Sequence, residues 1–123
     1  FTMTEKNIVS IIVPCFNAVK YTKQCVESVL ENSTYPYELI LINNGSSDGT
    51  KKYLKNLNIK SEYLKKLRII NLKSNYGVAK ALNVGISKSC GRYVCYINND
   101  VIVTKKWLEG LVYALEVDKN NAV

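Results

Sequence analysis

Histidine is absent from the 123 residues, and the four cysteines, Cys15, Cys25, Cys90 and Cys95, form no Cys-x-x-Cys pair. That combination excludes a zinc centre or a Cys-His nucleophile of ordinary spacing. No disulfide framework is implied either. Cys95 lies inside an apolar strand pattern, so buried free thiols in a reducing, cytoplasmic compartment are expected. Proline is scarce, at two residues, and no Pro/Gly-rich linker, low-complexity tract or short repeat divides the chain. No apolar run approaches membrane-spanning length and the N-terminus lacks a signal h-region, so no membrane span is expected. Acidic residues are outnumbered, 10 against 17 Lys plus Arg, for a formal charge of +7. The excess suits polyanionic partners but does not choose among nucleic acid, membrane phosphates and nucleotides. Many of the lysines, including Lys51, Lys52, Lys55, Lys60, Lys65 and Lys66, fall in one stretch that reads as helix and loop with a solvated face.

What is present is an ordinary globular composition, 47% apolar and 22% charged, in a length that fits one domain. Four apolar runs, residues 8–13, 37–42, 67–72 and 93–97, each stop at polar or turn residues. Their spacing is close to the ~30 residues that a strand, a crossover helix and the next strand require. Between and after them, residues 21–31, 50–57, 78–88 and 107–116 carry helical patterns, with Thr104 as a candidate cap for the last. This alternation predicts an α/β fold: a Rossmann-like open, mostly parallel twisted sheet of about four strands with helices on both faces. Ala122-Val123 is expected to begin another strand, and Phe1-Thr2, ahead of Met3, to be an expression remnant.

In such sheets ligands bind beyond the carboxyl ends of the strands, where this chain places its polar loops. Pro14-Cys15-Phe16-Asn17 is either a plain βα turn or a loop that presents the Asn17 amide. The stretch from Asn43 to Thr50, with Asn44, Gly45 and Ser46, allows a positive φ at Gly45. Ser47 or Asp48 is available there to cap the next helix. Asn75-Tyr76-Gly77-Val78-Ala79-Lys80 resembles a helix start whose N–H groups and Lys80 meet a phosphate; the alternative is Asn75 as an N-cap. Asn83 and Gly85 on the same helix permit close packing on the sheet. Asn98-Asn99-Asp100 is either a strand-end turn or a set of hard oxygen donors for Mg²⁺ or Mn²⁺.

In order and spacing, these segments resemble the N-terminal half of family 2 glycosyltransferases across nearly the whole chain. The matching stretches are Val9-Ser10-Ile11-Ile12-Val13-Pro14-Cys15-Phe16-Asn17, Leu41-Ile42-Asn43-Asn44-Gly45-Ser46-Ser47-Asp48-Gly49-Thr50, Asn75-x-Gly77-x-Ala79-x-x-x-Asn83-x-Gly85, and Gly91-Arg92-Tyr93 through Asn98-Asn99-Asp100. The resemblance implies a GT-A, nucleotide-diphospho-sugar domain over residues 3–123, incomplete before its acceptor half, that transfers a sugar with inversion. It implies a UDP- or dTDP-sugar donor and a saccharide or glycolipid acceptor. Pro14, Phe16, Asn17, Asn44, Gly45, Ser46, Gly77, Lys80, Asn98 and Asn99 would hold the nucleotide, and Asp100 the Mg²⁺ or Mn²⁺. The catalytic base is expected beyond Val123, so this fragment alone is expected to be inactive.

Three departures from the family pattern stand out. Asn43-Asn44 carries no carboxylate, the 98–100 triplet has one acid, and Leu82 stands where many members have Arg. Two other classes fit the composition less well. A basic nucleic-acid-binding α/β module would use the nine tyrosines, but these scatter without forming a stacking platform, and no nucleic-acid partner is expected. A non-catalytic scaffold would leave the polar strand ends without a use.

Overall fold

The apolar runs 8–13 and 37–42 are buried along their whole length, which requires a sheet covered on both faces. The computed structural model describes residues 5–121. The expected remnant at 1–2 and the strand start at 122–123 lie outside the described residues. Strands β1 (Glu5–Cys15), β2 (Tyr37–Asn44), β3 (Leu64–Leu72) and β4 (Gly91–Tyr96) alternate with helices α1 (Val19–Asn32), α2 (Thr50–Lys55), α3 (Val78–Lys88) and α4 (Trp107–Asn121). All pairings are parallel and the lateral order is β3-β2-β1-β4. The Rossmann-like expectation holds. The chain steps outward from β1 to β3, then crosses back to lay β4 beside β1, and the crossover direction reverses between those two strands.

Register assigns the faces. Val9 and Ile11 lie beside Tyr37 and Leu39 of β2 and beside Tyr93 and Cys95 of β4. With Val13 and Leu41 they pack against Val26 and Val29 of α1, Leu54 of α2, and Leu108 and Val112 of α4. On the opposite face Ile12, Ile40 and Ile42 meet Ala81 of α3. That helix rides close because residue 85 is glycine: a Cβ there would come within 2.7 Å of Ile12 Cγ2 and 2.9 Å of Ile42 Cδ1. Burial of each such Leu or Ile side chain contributes about 1.5–3 kcal/mol. Under α3 the sheet also buries a carboxylate, Glu38, which is 0% exposed.

The elements differ from expectation mainly at the edges. β3 starts at Leu64, so Lys65 and Lys66 belong to an edge strand rather than to helix or loop. Charge on an edge strand discourages pairing with other chains. Helix α2 stops at Lys55, two residues short of the predicted end. Cys95 is half-buried rather than buried, because β4 is the other edge. For the same reason Leu111 and Leu115, expected in an apolar stripe, remain 42% and 43% exposed. Thr104 does not cap α4. Its carbonyl accepts from Trp107 N at 3.2 Å in a turn ahead of the helix, and Lys106 enters with φ 61°.

Candidate functional site

The reversal between β1 and β4 opens a crevice at the carboxyl ends of both strands. Pro14, Cys15 and Phe16 approach it from β1, Asn98 and Asn99 from β4, and Asn44, Asn75, Gly77 and Val78 from the side. Together they line a cleft of about 290 Å³. Among the expected nucleotide-binding residues, Pro14, Phe16, Asn44, Gly77, Asn98 and Asn99 therefore converge. Asn17, Gly45, Ser46 and Lys80 stand behind or beside the cleft lining. Cys15, Asn75 and Val78 line it as well and were not in the expected set. Cys15 and Val78 each adjoin an expected residue in sequence, and Asn75 stands two residues before Gly77 in the Asn75-x-Gly77 motif.

Asn17 is placed by two consecutive left-handed residues, Asn17 at φ 52° and Ala18 at φ 56°. Its backbone N–H donates to Ser46 Oγ at 2.8 Å, and its Oδ1 accepts from the N–H groups of Ser47 at 2.8 Å and Asp48 at 3.2 Å. The side chain thus ties the loop after β1 to the loop after β2. Asp48 completes the tie. Neither Ala18 nor Gly49, which precede α1 and α2, supplies a capping side chain. Asp48 serves both helices, its Oδ2 accepting from Val19 N at 3.0 Å and its Oδ1 from Thr50 N at 2.9 Å and Thr50 Oγ1 at 2.6 Å.

Loss of solvent pushes the Asp48 carboxyl up, but the hydrogen bonds from the Thr50 side chain and backbone, and from the backbone N–H groups of Val19 and Asp48 itself, outweigh it. They hold the group below its ordinary value of 3.8. A carboxyl depressed in the folded state contributes stability that is present above the unfolded value and lost as pH falls through the folded one. We expect Asp48→Ala to lower stability at neutral pH by about 1 kcal/mol, as loss of a helix cap does. It should also flatten the acid loss of stability below pH 3.8, as read by chemical denaturation across pH.

On the other side of the cleft the tip of β2 holds the loop before α3. Asn43 Nδ2 donates to Asn71 Oδ1 at 3.0 Å, and Asn43 Oδ1 accepts from Ser46 N at 3.0 Å. Asn44 Nδ2 donates to Asn75 Oδ1 at 3.1 Å and to Gly77 O at 3.2 Å, while Asn44 Oδ1 accepts from Tyr76 N at 3.1 Å. Asn75 Oδ1 also accepts from Gly77 N at 2.8 Å, and Gly77, at φ 89°, leads into α3. Lys80 sits exposed in the first turn of that helix.

The triplet after β4 forms a turn, with Val101 N donating to Asn98 O at 3.1 Å. Asn98 Oδ1 accepts from Tyr96 OH. Asn99 Nδ2 donates to Thr22 Oγ1 at 3.0 Å and Asn17 O at 3.4 Å, which leaves Asn99 Oδ1 for another partner. Asp100 is exposed and its carboxylate makes no hydrogen bond or ion pair among the described residues. No group of three or more His, Cys, Asp or Glu that would cage a metal occurs among those residues. One carboxylate with a neighbouring amide oxygen suits Mg²⁺ or Mn²⁺, which keep waters and draw further oxygens from phosphate. Behind the triplet, burial pushes the Cys15 thiol up to about 12 and the Cys25 thiol up to about 11, the latter helped by the Asp100 charge. Both stay protonated at neutral pH, so Cys15 meets the cleft as a small apolar group.

Comparison with known proteins puts this architecture in context. A family model described as Glycosyl transferase family 2 matches residues 10–123. An uncharacterized glycosyltransferase of Haemophilus influenzae is 33% identical over 109 residues, covering 89% of this chain and 33% of that protein. Glycosyltransferase GlyG of Streptococcus pneumoniae is 30% identical over 104 residues, covering 85% of this chain and 34% of its own length. The chain thus spans about a third of these relatives. Among solved structures, S. aureus TarS 1–349 in complex with UDP-GlcNAc superposes with a TM-score of 0.77 at 22% identity, over 90% of this chain and 32% of that one. The mannosyltransferase PcManGT from Pyrobaculum calidifontis, in complex with GDP-Man and Mn²⁺, gives 0.77 at 23% identity, over 89% and 32%. At that identity the likeness shows a shared fold.

Proposed function

The chain belongs to glycosyl transferase family 2, and from that premise we propose that its cleft holds the nucleotide diphosphate of a sugar donor whose sugar is transferred with inversion. The observation that carries the reading is the meeting of Pro14, Phe16, Asn44, Gly77, Asn98 and Asn99 around one cleft at the sheet's switch point. The ligands named for the two solved neighbours, UDP-GlcNAc and GDP-Man, support a nucleotide-sugar.

In this reading Phe16, 46% exposed, and Pro14 offer an apolar wall to a uracil or thymine base. Asn17, Asn44, Gly45 and Ser46 hold the loops that shape the pocket. The start of α3 at Gly77 turns backbone N–H groups, and Lys80 a cation, toward the diphosphate. Asn98 and Asn99 form the floor. Asp100, with Asn99 Oδ1, would hold Mg²⁺ or Mn²⁺, which when bound neutralises charge on the departing diphosphate. The acceptor would be a hydroxyl of a saccharide or glycolipid. No helix among the described residues is long and apolar enough to cross a membrane, and the four free thiols support a reducing, cytoplasmic setting.

Calorimetric titration tests the reading. UDP or dTDP should bind more tightly with Mn²⁺ present. Asp100→Ala should remove that enhancement, expected to be at least about tenfold, or about 1.4 kcal/mol, while leaving metal-free binding intact. Absence of binding to either nucleotide, with or without metal, sinks it.

A further inference from the structure

We propose that Asn44 is a positioning residue that clamps the loop before α3 onto the sheet, and that it does not read the nucleobase. The proposal rests on the donor-site reading above but concerns what Asn44 does within it. A residue that reads a base needs unspent donors or acceptors facing the pocket. A carboxamide has two N–H donors and two lone pairs. Both donors of Asn44 are used, on Asn75 Oδ1 at 3.1 Å and Gly77 O at 3.2 Å, and its oxygen accepts from Tyr76 N at 3.1 Å, which leaves one lone pair on a side chain with almost no exposed surface. The amide can sit only this way round. Reversed, its oxygen would face two acceptors and its NH₂ would face the Tyr76 N–H. At 3% exposure the side chain borders the cleft with little surface to offer.

The partners also explain why residue 44 is not an acid. A carboxylate would keep the bond from Tyr76 N but set its second oxygen against Asn75 Oδ1 and Gly77 O, turning two attractions into repulsions. Asn75 is the complement of this choice, since its Oδ1 accepts from both Asn44 Nδ2 and Gly77 N. The clamp fixes Gly77, the residue from which α3 starts, and so sets where that helix presents its N–H groups and Lys80. Base selection then falls to other cleft groups, such as the exposed Asn98.

Asn44→Asp separates the two roles. In ligand-free protein, amide hydrogen exchange at Gly77, whose acceptor Asn75 loses its tie to residue 44, should speed up by about tenfold or more, while Tyr76 N keeps its acceptor. Affinities for UDP, dTDP, CDP and GDP should fall by a common factor with their ranking unchanged. Unchanged exchange at Gly77, or a reordered nucleotide ranking, overturns the proposal. The exchange arm needs no ligand, so it decides the clamp even if the wild-type chain binds none of the four nucleotides, a result that would count against the donor-site reading alone. If Asn44→Asp does not fold, Asn75→Ala, on the exposed side of the clamp, should show the same pattern at smaller size.

Discussion

Glu38→Ala is expected to cost about 3–5 kcal/mol, the usual penalty for breaking a buried charged network, and to bring the domain close to unfolding at room temperature. Glu38 is the second residue of β2 and is fully buried, beside the turn into β4. Its Oε1 accepts from Ser10 Oγ at 2.6 Å and from Cys90 N at 2.7 Å, and its Oε2 accepts from Cys90 Sγ at 3.2 Å. Ser10 Oγ in turn accepts from Gly91 N at 2.8 Å. The Arg68 guanidinium stands 3.8 Å away, close enough for charge attraction but too far for a hydrogen bond. One carboxylate therefore joins β1, β2, β3 and the turn into β4. Truncation leaves the Cys90 N–H and the Ser10 hydroxyl facing a void and the Arg68 charge without its partner.

Total stabilities of such domains are about 5–15 kcal/mol, so the loss is a large share. Urea denaturation reads it directly as a shifted midpoint. Glu38→Gln keeps the shape and one acceptor, and should fall between the wild type and Glu38→Ala. A Glu38→Ala unfolding free energy within about 1 kcal/mol of the wild type would show that the network is energetically idle.

Much of the fold was legible because its signals are local. Apolar runs end in polar turns at the spacing of a βα repeat, and α3 appears over the predicted residues 78–88. Glu38 was not legible: it sits inside the apolar run 37–42, and one charge in a strand reads as a solvent-facing residue unless its partners are known. Those partners, Ser10, Arg68 and Cys90, lie far away in sequence. The edges were misjudged for a related reason, since nothing in the sequence of β4 or α4 says which side stays uncovered. The candidate site was legible as four polar loops but not as a division of labour. Asn17, Asn44 and Asp48 looked like groups free to meet a ligand or cap one helix, whereas their hydrogen bonds run between loops that only the sheet brings together.

Gly45 is where those loops press hardest, and Gly45→Ala is expected to damage both fold and site. The residue holds φ 77°, a left-handed conformation that costs an L side chain about 1 kcal/mol. A Cβ would also lie 2.4 Å from the Ser74 carbonyl carbon, 2.6 Å from Asn75 N and 2.7 Å from Ser74 Cα. All three are backbone atoms, so no rotamer change relieves the overlap, and the loop before α3 must move. Overpacking of this kind costs about 1–3 kcal/mol, which with the φ penalty gives about 2–4 kcal/mol. Displacement of that loop pulls Asn75 and Gly77 away from Asn44, so UDP affinity should fall by more than the stability loss alone explains under conditions where the variant is still folded. Gly77→Ala is the control. It shares the positive φ, at 89°, but its Cβ would meet nothing within 4 Å. It should therefore show a backbone penalty alone, about 1–3 kcal/mol for its φ 89° and ψ 163°, without the overlap. A Gly45→Ala loss of no more than about 1 kcal/mol would mean that the loops yield freely and that Gly45 is kept for its φ alone.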